Sequence, residues 1–208
     1  MTEHNAPLSR RQSQALTREK LLQSGREAIV RTGVHGLSIR NLTNLAGLTV
    51  GAFYSNFSSR QDYLEKLCGL VIGEFLETIR SANARACQGA REMAVEVYAD
   101  WSVNVPADLA AAMLEFGVLA RSDKAFGAAY AVQAAQFRAA LAEEMRTLFR
   151  HFGLTPQMSC EQMAAGFMTM WMGQILFQDM PEGKDYTQAI ALFLSNLLLA
   201  ARSREEQE

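Results

Sequence analysis

Residue types able to do covalent or metal chemistry are present in this chain but scattered. His4, His35 and His151 lie far apart, and none has a Cys or carboxylate at metal-ligand spacing. Cys68, Cys87 and Cys160 are odd in number and widely separated, so they make neither a disulfide framework nor a zinc pattern and fit a reducing cytosol. A thiol near a helix start, as Cys160 is, can have a lowered pKa, yet no base is identifiable beside it. No G-x-S-x-G, phosphate-loop or dinucleotide glycine pattern occurs. Catalysis, a metal and a cofactor are therefore not expected. One short run has a different chemistry. Val50 and Ala52 can touch a thymine methyl, Asn56 can pair with adenine if it reaches, Gly51 allows close backbone approach, and Ser55 adds a small polar group. Such a surface would read base edges with modest discrimination, because no Arg or Lys lies in the run to grip guanine.

These residues need a helix to present them, and the stretch from Leu37 to Arg60 supplies one. Ser38 is placed to cap a first helix, whose Ile39, Leu42 and Leu45 share one face. Gly47 provides the left-handed residue that ends it, and Thr49 caps the next helix two positions later. So short a connection forces the two helices to cross steeply, the helix-turn-helix arrangement. The second helix, Thr49 to Asn56, is too short and too polar to exist for packing alone. Phe53 and Phe57 anchor it and leave Val50, Gly51, Ala52, Ser55 and Asn56 to face a partner, expected to be double-stranded DNA. Ser38 and Thr49 sit at helix starts, where hydroxyl, free N–H groups and dipole favour a phosphate. Arg40 can add a contact or bridge to an acid.

At these positions the sequence resembles the TetR family of bacterial transcriptional regulators. Ser38, Ile39, Arg40, Leu42, Ala46, Gly47, Leu48, Thr49, Gly51, Phe53, Tyr54 and Phe57 match its pattern, with Arg60 standing where a Lys is usual. Thr43 and Leu45 replace alanines that usually pack inside the helix pair, so local packing is expected to differ. The resemblance implies that Tyr54 and Arg60 hold backbone phosphates. It also implies a small-molecule pocket in the later helices, a homodimer through the last two, and a repressor released from an inverted-repeat operator by an effector. An activator of the same fold, or a small-molecule binder with a vestigial DNA head, stays open at this point.

Charge distribution supports a DNA-facing end. The 208 residues carry a net charge of −2, but residues 1–66 hold nine Lys and Arg against five Asp and Glu, net +4, and residues 67–208 hold eleven against seventeen, net −6. A basic head on an acidic body suits a protein that meets phosphates with one end only. The longest apolar run, Ala189 to Ala201, is broken by Ser195 and Asn196, and a membrane span needs roughly 20 apolar residues. No membrane is expected, and the polar start MTEHNAPLSRRQSQ carries no signal peptide, so the chain is expected to be cytoplasmic.

Patterning predicts an all-α chain: a three-helix helix-turn-helix domain over 1–66, with 1–16 as a mobile arm, and a helical effector-binding and dimerisation domain over 67–208. Helix one is expected from Thr17 to Gly33. Ser59 and Asp62 form a capping box for a long helix from Arg60 to about Arg85, roughly 39 Å at 1.5 Å per residue. Five further helices are expected near 90–103, 107–120, 124–152, 159–179 and 185–203, with no sheet. Large adaptable side chains recur in them, and Trp101, Met113, Phe116, Phe126, Tyr130, Phe137, Phe167 and Trp171, with polar Asn104 and Arg121, are the expected pocket residues. Glu115 is a further polar candidate. The last two helices are apolar on more than one face, which a terminal pair can bury against a twin. The effector is expected to be apolar or aromatic.

Overall fold

The computed structural model describes residues 9–90, 94, 96–97, 100–101, 104–177, 180, 188–193, 196–197 and 200–203. Parts of the helices expected at 90–103 and 185–203 therefore lie outside the described residues, while 188–193 and 196–197 are helical. The architecture is all-α: a helix-turn-helix head joined by a long helix to a helical body. In order come α1 (Arg10–Thr32), a 3₁₀ turn (Val34–Gly36), α2 (Ile39–Leu45), α3 (Val50–Tyr54), α4 (Arg60–Ala86), α5 (Ala107–Ser122), α6 (Lys124–His151) and α7 (Cys160–Phe177).

Local capping explains most of these boundaries. Ser38, Thr49 and Ser59 each accept a backbone N–H three residues on, at 3.0–3.1 Å, and so close the starts of α2, α3 and α4. Gly47, at φ +62°, makes the turn between α2 and α3 in the conformation that favours glycine. Asp62 reaches Ser58 N–H at 2.9 Å, one residue earlier than the expected partner.

Three expectations change. α1 starts at Arg10 rather than Thr17, because Ser9 and Gln12 form a reciprocal capping box that the apolar pattern does not reveal. Leu45 points outward and is 56% exposed, so it does not crowd the α2–α3 contact; Thr43 is buried with its hydroxyl donating to Arg40 O at 3.1 Å. A two-residue antiparallel pairing of Leu154–Thr155 (β1) with Arg202–Ser203 (β2) also forms, so the last helical pattern does not continue to 203.

The head core is Leu21, Ile29, Leu42, Phe53, Phe57, Tyr63 and Leu64, all buried. Burial pushes the Tyr63 phenol well above its usual value while its hydroxyl donates to Leu21 O at 2.9 Å. The apolar face of α4 then continues into the body. Phe75 lies against Trp171, Phe137 and Trp101 with ring centroids 4.0, 5.6 and 5.9 Å away. One helix thus contributes to both cores.

Candidate nucleic-acid interface

Two aromatic anchors set the orientation of α3. Phe53 and Phe57 are buried with ring centroids 5.4 Å apart, and Phe57 meets Tyr63 edge-on at 4.9 Å. Pinning that face leaves Val50 44% exposed and Tyr54 56% exposed, with Thr49, Gly51 and Ser55 exposed beside them. Ser38 and Arg40 are exposed at the start of α2. Arg40 forms no ion pair among the described residues, so its charge is open to a phosphate.

Two expected contacts read differently in three dimensions. The Asn56 amide folds back, Nδ2 donating to Ala52 O at 2.8 Å, so it closes the end of α3 instead of reaching outward; Ala52 is half-buried. Arg60 turns inward, donating from Nε to Leu37 O at 3.0 Å and from Nη2 to Val34 O at 3.2 Å. Its guanidinium holds the loop before α2 rather than standing free at the surface. The face left for a groove is small: Val50, Gly51, Tyr54 and Ser55, flanked by Thr49.

The same loop is gripped from the body. Glu115 Oε2 on α5 accepts Val34 N–H at 2.8 Å. Gly33, at φ +67°, lets the carboxylate approach, since a Cβ there would stand 2.8 Å from the same oxygen. On α1, Arg26 meets Asp108 of α5 at 2.8 Å and Glu74 of α4 at 3.2 Å. Glu115 was a candidate for the pocket; the structure makes it a tie between α5 and the head. Gly33, Val34 and Arg26 were not singled out from sequence, because their partners lie far away along the chain.

The body contains a partly open cavity of about 40 Å³ lined by Ile79, Asn83, Trp101, Leu141, Glu144, Met145, Leu148, Phe149, Met163, Phe167 and Leu197. Its wall is apolar apart from Asn83 and Glu144, which are bonded to each other at 3.1 Å. Of the expected lining, Trp101 and Phe167 are there, and the Trp101 indole donates to Thr78 Oγ1 at 3.1 Å. Phe137 and Trp171 pack on Phe75 instead, Met113 is buried outside the lining, and Phe116, Phe126 and Tyr130 form a separate stack. Asn104 is exposed and bonded to Asp100, and Arg121 is exposed; neither lines the cavity. Burial pushes the Cys160 thiol up, with Arg146 only partly opposing. Among the described residues no His, Cys, Asp and Glu cluster is fit to hold a metal, and no helix is long and apolar enough to cross a membrane.

Solved structures share this architecture. A Rhodococcus sp. protein classed with the TetR-family transcriptional regulators superposes with a TM-score of 0.73 at 15% identity, over 88% of this chain and 99% of that one. E. coli NemR in its reduced form gives 0.71 at 16%, over 90% and 98%. A TetR transcription regulator from Haloarcula marismortui gives 0.67 at 17%, over 90% and 98%. No family model matches the sequence, and no curated protein does. At these identities the likeness establishes the fold: that of the TetR-family regulators, over most of the chain.

Proposed function

We propose that this protein is a sequence-specific DNA-binding transcriptional regulator of the TetR type. It acts as a homodimeric repressor that a small apolar or aromatic effector releases from an inverted-repeat operator. The observation that carries the reading is the face of α3. A five-residue helix is capped at its start, pinned by two buried phenylalanines, and turned so that Val50, Gly51 and Tyr54 face outward. A helix this short gains little from packing its own outer side, so that side is free for a duplex. Ser38, Arg40 and Thr49 flank it at positions suited to phosphates.

Dimerisation is supported by apolar side chains left uncovered near the end of the chain. Leu176, Met180 and Leu192 are all exposed, and a second copy would bury them. Two recognition helices would then enter successive major grooves, with centres about 34–36 Å apart.

Release is supported by the small size of the cavity. About 40 Å³ holds little more than ordered water, so an aromatic effector must open the wall to enter. The wall includes Ile79 and Asn83 of α4, the helix whose first residue, Arg60, grips the loop before α2. An effector that binds only the opened state therefore favours a different placement of the head, and it acts only through that difference in affinity. Moving the population from mostly competent to mostly released takes about 5.5 kcal/mol of preference.

The test is selection of bound genomic fragments at about 150 mM salt, followed by sequencing, because phosphate-driven affinity depends steeply on salt. Enrichment of an inverted repeat is the expected result. Absence of any enriched sequence sinks the DNA-reading role and leaves a small-molecule binder with a vestigial head. Transcription from the enriched site, measured with and without protein, separates repressor from activator.

A further inference from the structure

In sequence, Arg10 and Arg11 lie in the expected mobile arm 1–16, where they can act as electrostatic arms but fit a solvated tail better. The structure puts them in the first turn of the 23-residue helix α1. Its start is closed by Ser9 N–H donating to Gln12 Oε1 at 2.9 Å and Gln12 N–H donating to Ser9 Oγ at 3.3 Å. Two side chains farther along fasten this helix to the end of α3. Gln14 Nε2 donates to Ser55 O at 3.1 Å, and Arg18 Nη1 donates to Asn56 O at 2.8 Å with its guanidinium 4.5 Å from the Phe57 ring centroid.

Helical spacing then places the two cations. Arg10 and Gln14 are four apart, and Arg11, Gln14 and Arg18 fall at i, i+3 and i+7, so both arginines share the face that touches Ser55 and Asn56. They stand about one turn, roughly 5.4 Å, nearer the start of α1 than the Gln14 tie. Both are exposed and neither forms an ion pair among the described residues. Two guanidinium groups without an ion pair are thus carried on a helix that is itself tied to the end of α3.

We infer that Arg10 and Arg11 form a preorganised clamp on the DNA phosphates flanking the groove that α3 enters. The inference rests on the reading of α3 as the recognition helix. A guanidinium fork matches a phosphate, and cations already fixed on a helix lose less entropy on binding than cations on a free arm. The contribution is to affinity and register, not to base choice.

The experiment measures operator affinity against salt for the full-length wild type, for Arg10→Gln/Arg11→Gln and for Arg10→Lys/Arg11→Lys. Neutralising two phosphate contacts makes the log–log slope shallower by about 1.8 and weakens binding at about 150 mM salt on the order of tenfold. The selected sequence stays the same, and the lysine pair keeps most of the slope. Trimming the duplex to the last base pair that α3 covers gives the wild type the slope of the glutamine pair. A glutamine pair with the wild-type slope on an operator that both bind, or a lysine pair that behaves like the glutamine pair, overturns the clamp alone. A wild type with no operator preference overturns the clamp together with the reading it rests on.

Discussion

In the head, the starts of α2, α3 and α4 are each closed by a hydroxyl bonding a backbone N–H three residues away. In the body, α4, α6 and α7 meet through Phe75, Phe137, Trp171, Trp101 and Phe167, rings brought together from distant parts of the chain. The first region is shaped by short-range polar bonds around an aromatic anchor, the second by the mutual fit of large apolar side chains. The difference teaches where each kind of damage should show. Loss of a body contact should reduce stability and leave sequence preference intact. Loss of a head contact should weaken operator binding more than it weakens the fold. Between the two lies the loop 33–37, held by Glu115 from the body and Arg60 from α4, where both effects should appear together.

The largest effect is expected from Phe75→Ala. Removing a fully buried ring from three aromatic contacts should destabilise the protein by about 3–5 kcal/mol, measured by denaturant unfolding. The protein that remains folded should select the same operator; a changed sequence preference would break the division drawn here. Gly33→Ala comes next, because the new Cβ meets both a left-handed backbone and the Glu115 carboxylate. A loss of about 2–3 kcal/mol is expected, seen as a fall in thermal midpoint of roughly 5–10 °C, together with weakened operator binding. Stability loss with unaltered operator affinity would show that the loop does not transmit to the head.

Glu115→Ala leaves Val34 N–H without its partner and should cost about 1–2 kcal/mol. Glu115→Gln retains an acceptor oxygen and should recover most of that, while equal losses in thermal scans of the two variants would assign the tie to charge and not to the hydrogen bond. The smallest effect on the fold is expected from Thr49→Ala, about 1 kcal/mol for a lost cap. Its operator affinity should fall by more than that, because the same hydroxyl faces a phosphate in the proposed complex. A variant losing no more binding than stability would confine Thr49 to capping.

How much of this was legible follows from distance along the chain. Ser38, Gly47, Thr49 and Ser59 act on residues within four positions of themselves, so their roles can be written from spacing alone. Periodicity likewise identifies the inward faces of α1 and α4 and the all-α class. The inward bonds of Asn56 and Arg60 were not legible, because a polar side chain near a surface can turn either way. Their backbone partners, Ala52 O on one side and Val34 O and Leu37 O on the other, offered good hydrogen bonds that no pattern announces. The cavity lining was the least legible. An aromatic residue at helical spacing looks the same whether it lines a space or fills one. Only the packed volumes of α4, α6, α7 and Leu197 decide that Trp101 and Phe167 border the cavity while Phe137 and Trp171 close the core.

The sequence by itself determined the helical class, the capped turn that presents α3, the basic start of the chain and the absence of recognisable catalytic motifs. These rest on local bonds and on composition. Tertiary structure alone decided that α1 reaches back to Arg10 and lies against the end of α3. It alone decided that Glu115 and Arg60 hold one loop from two sides, and that a small cavity sits beside α4. Each of those depends on atoms far apart along the chain, and they meet only when burial of apolar surface has brought the helices together.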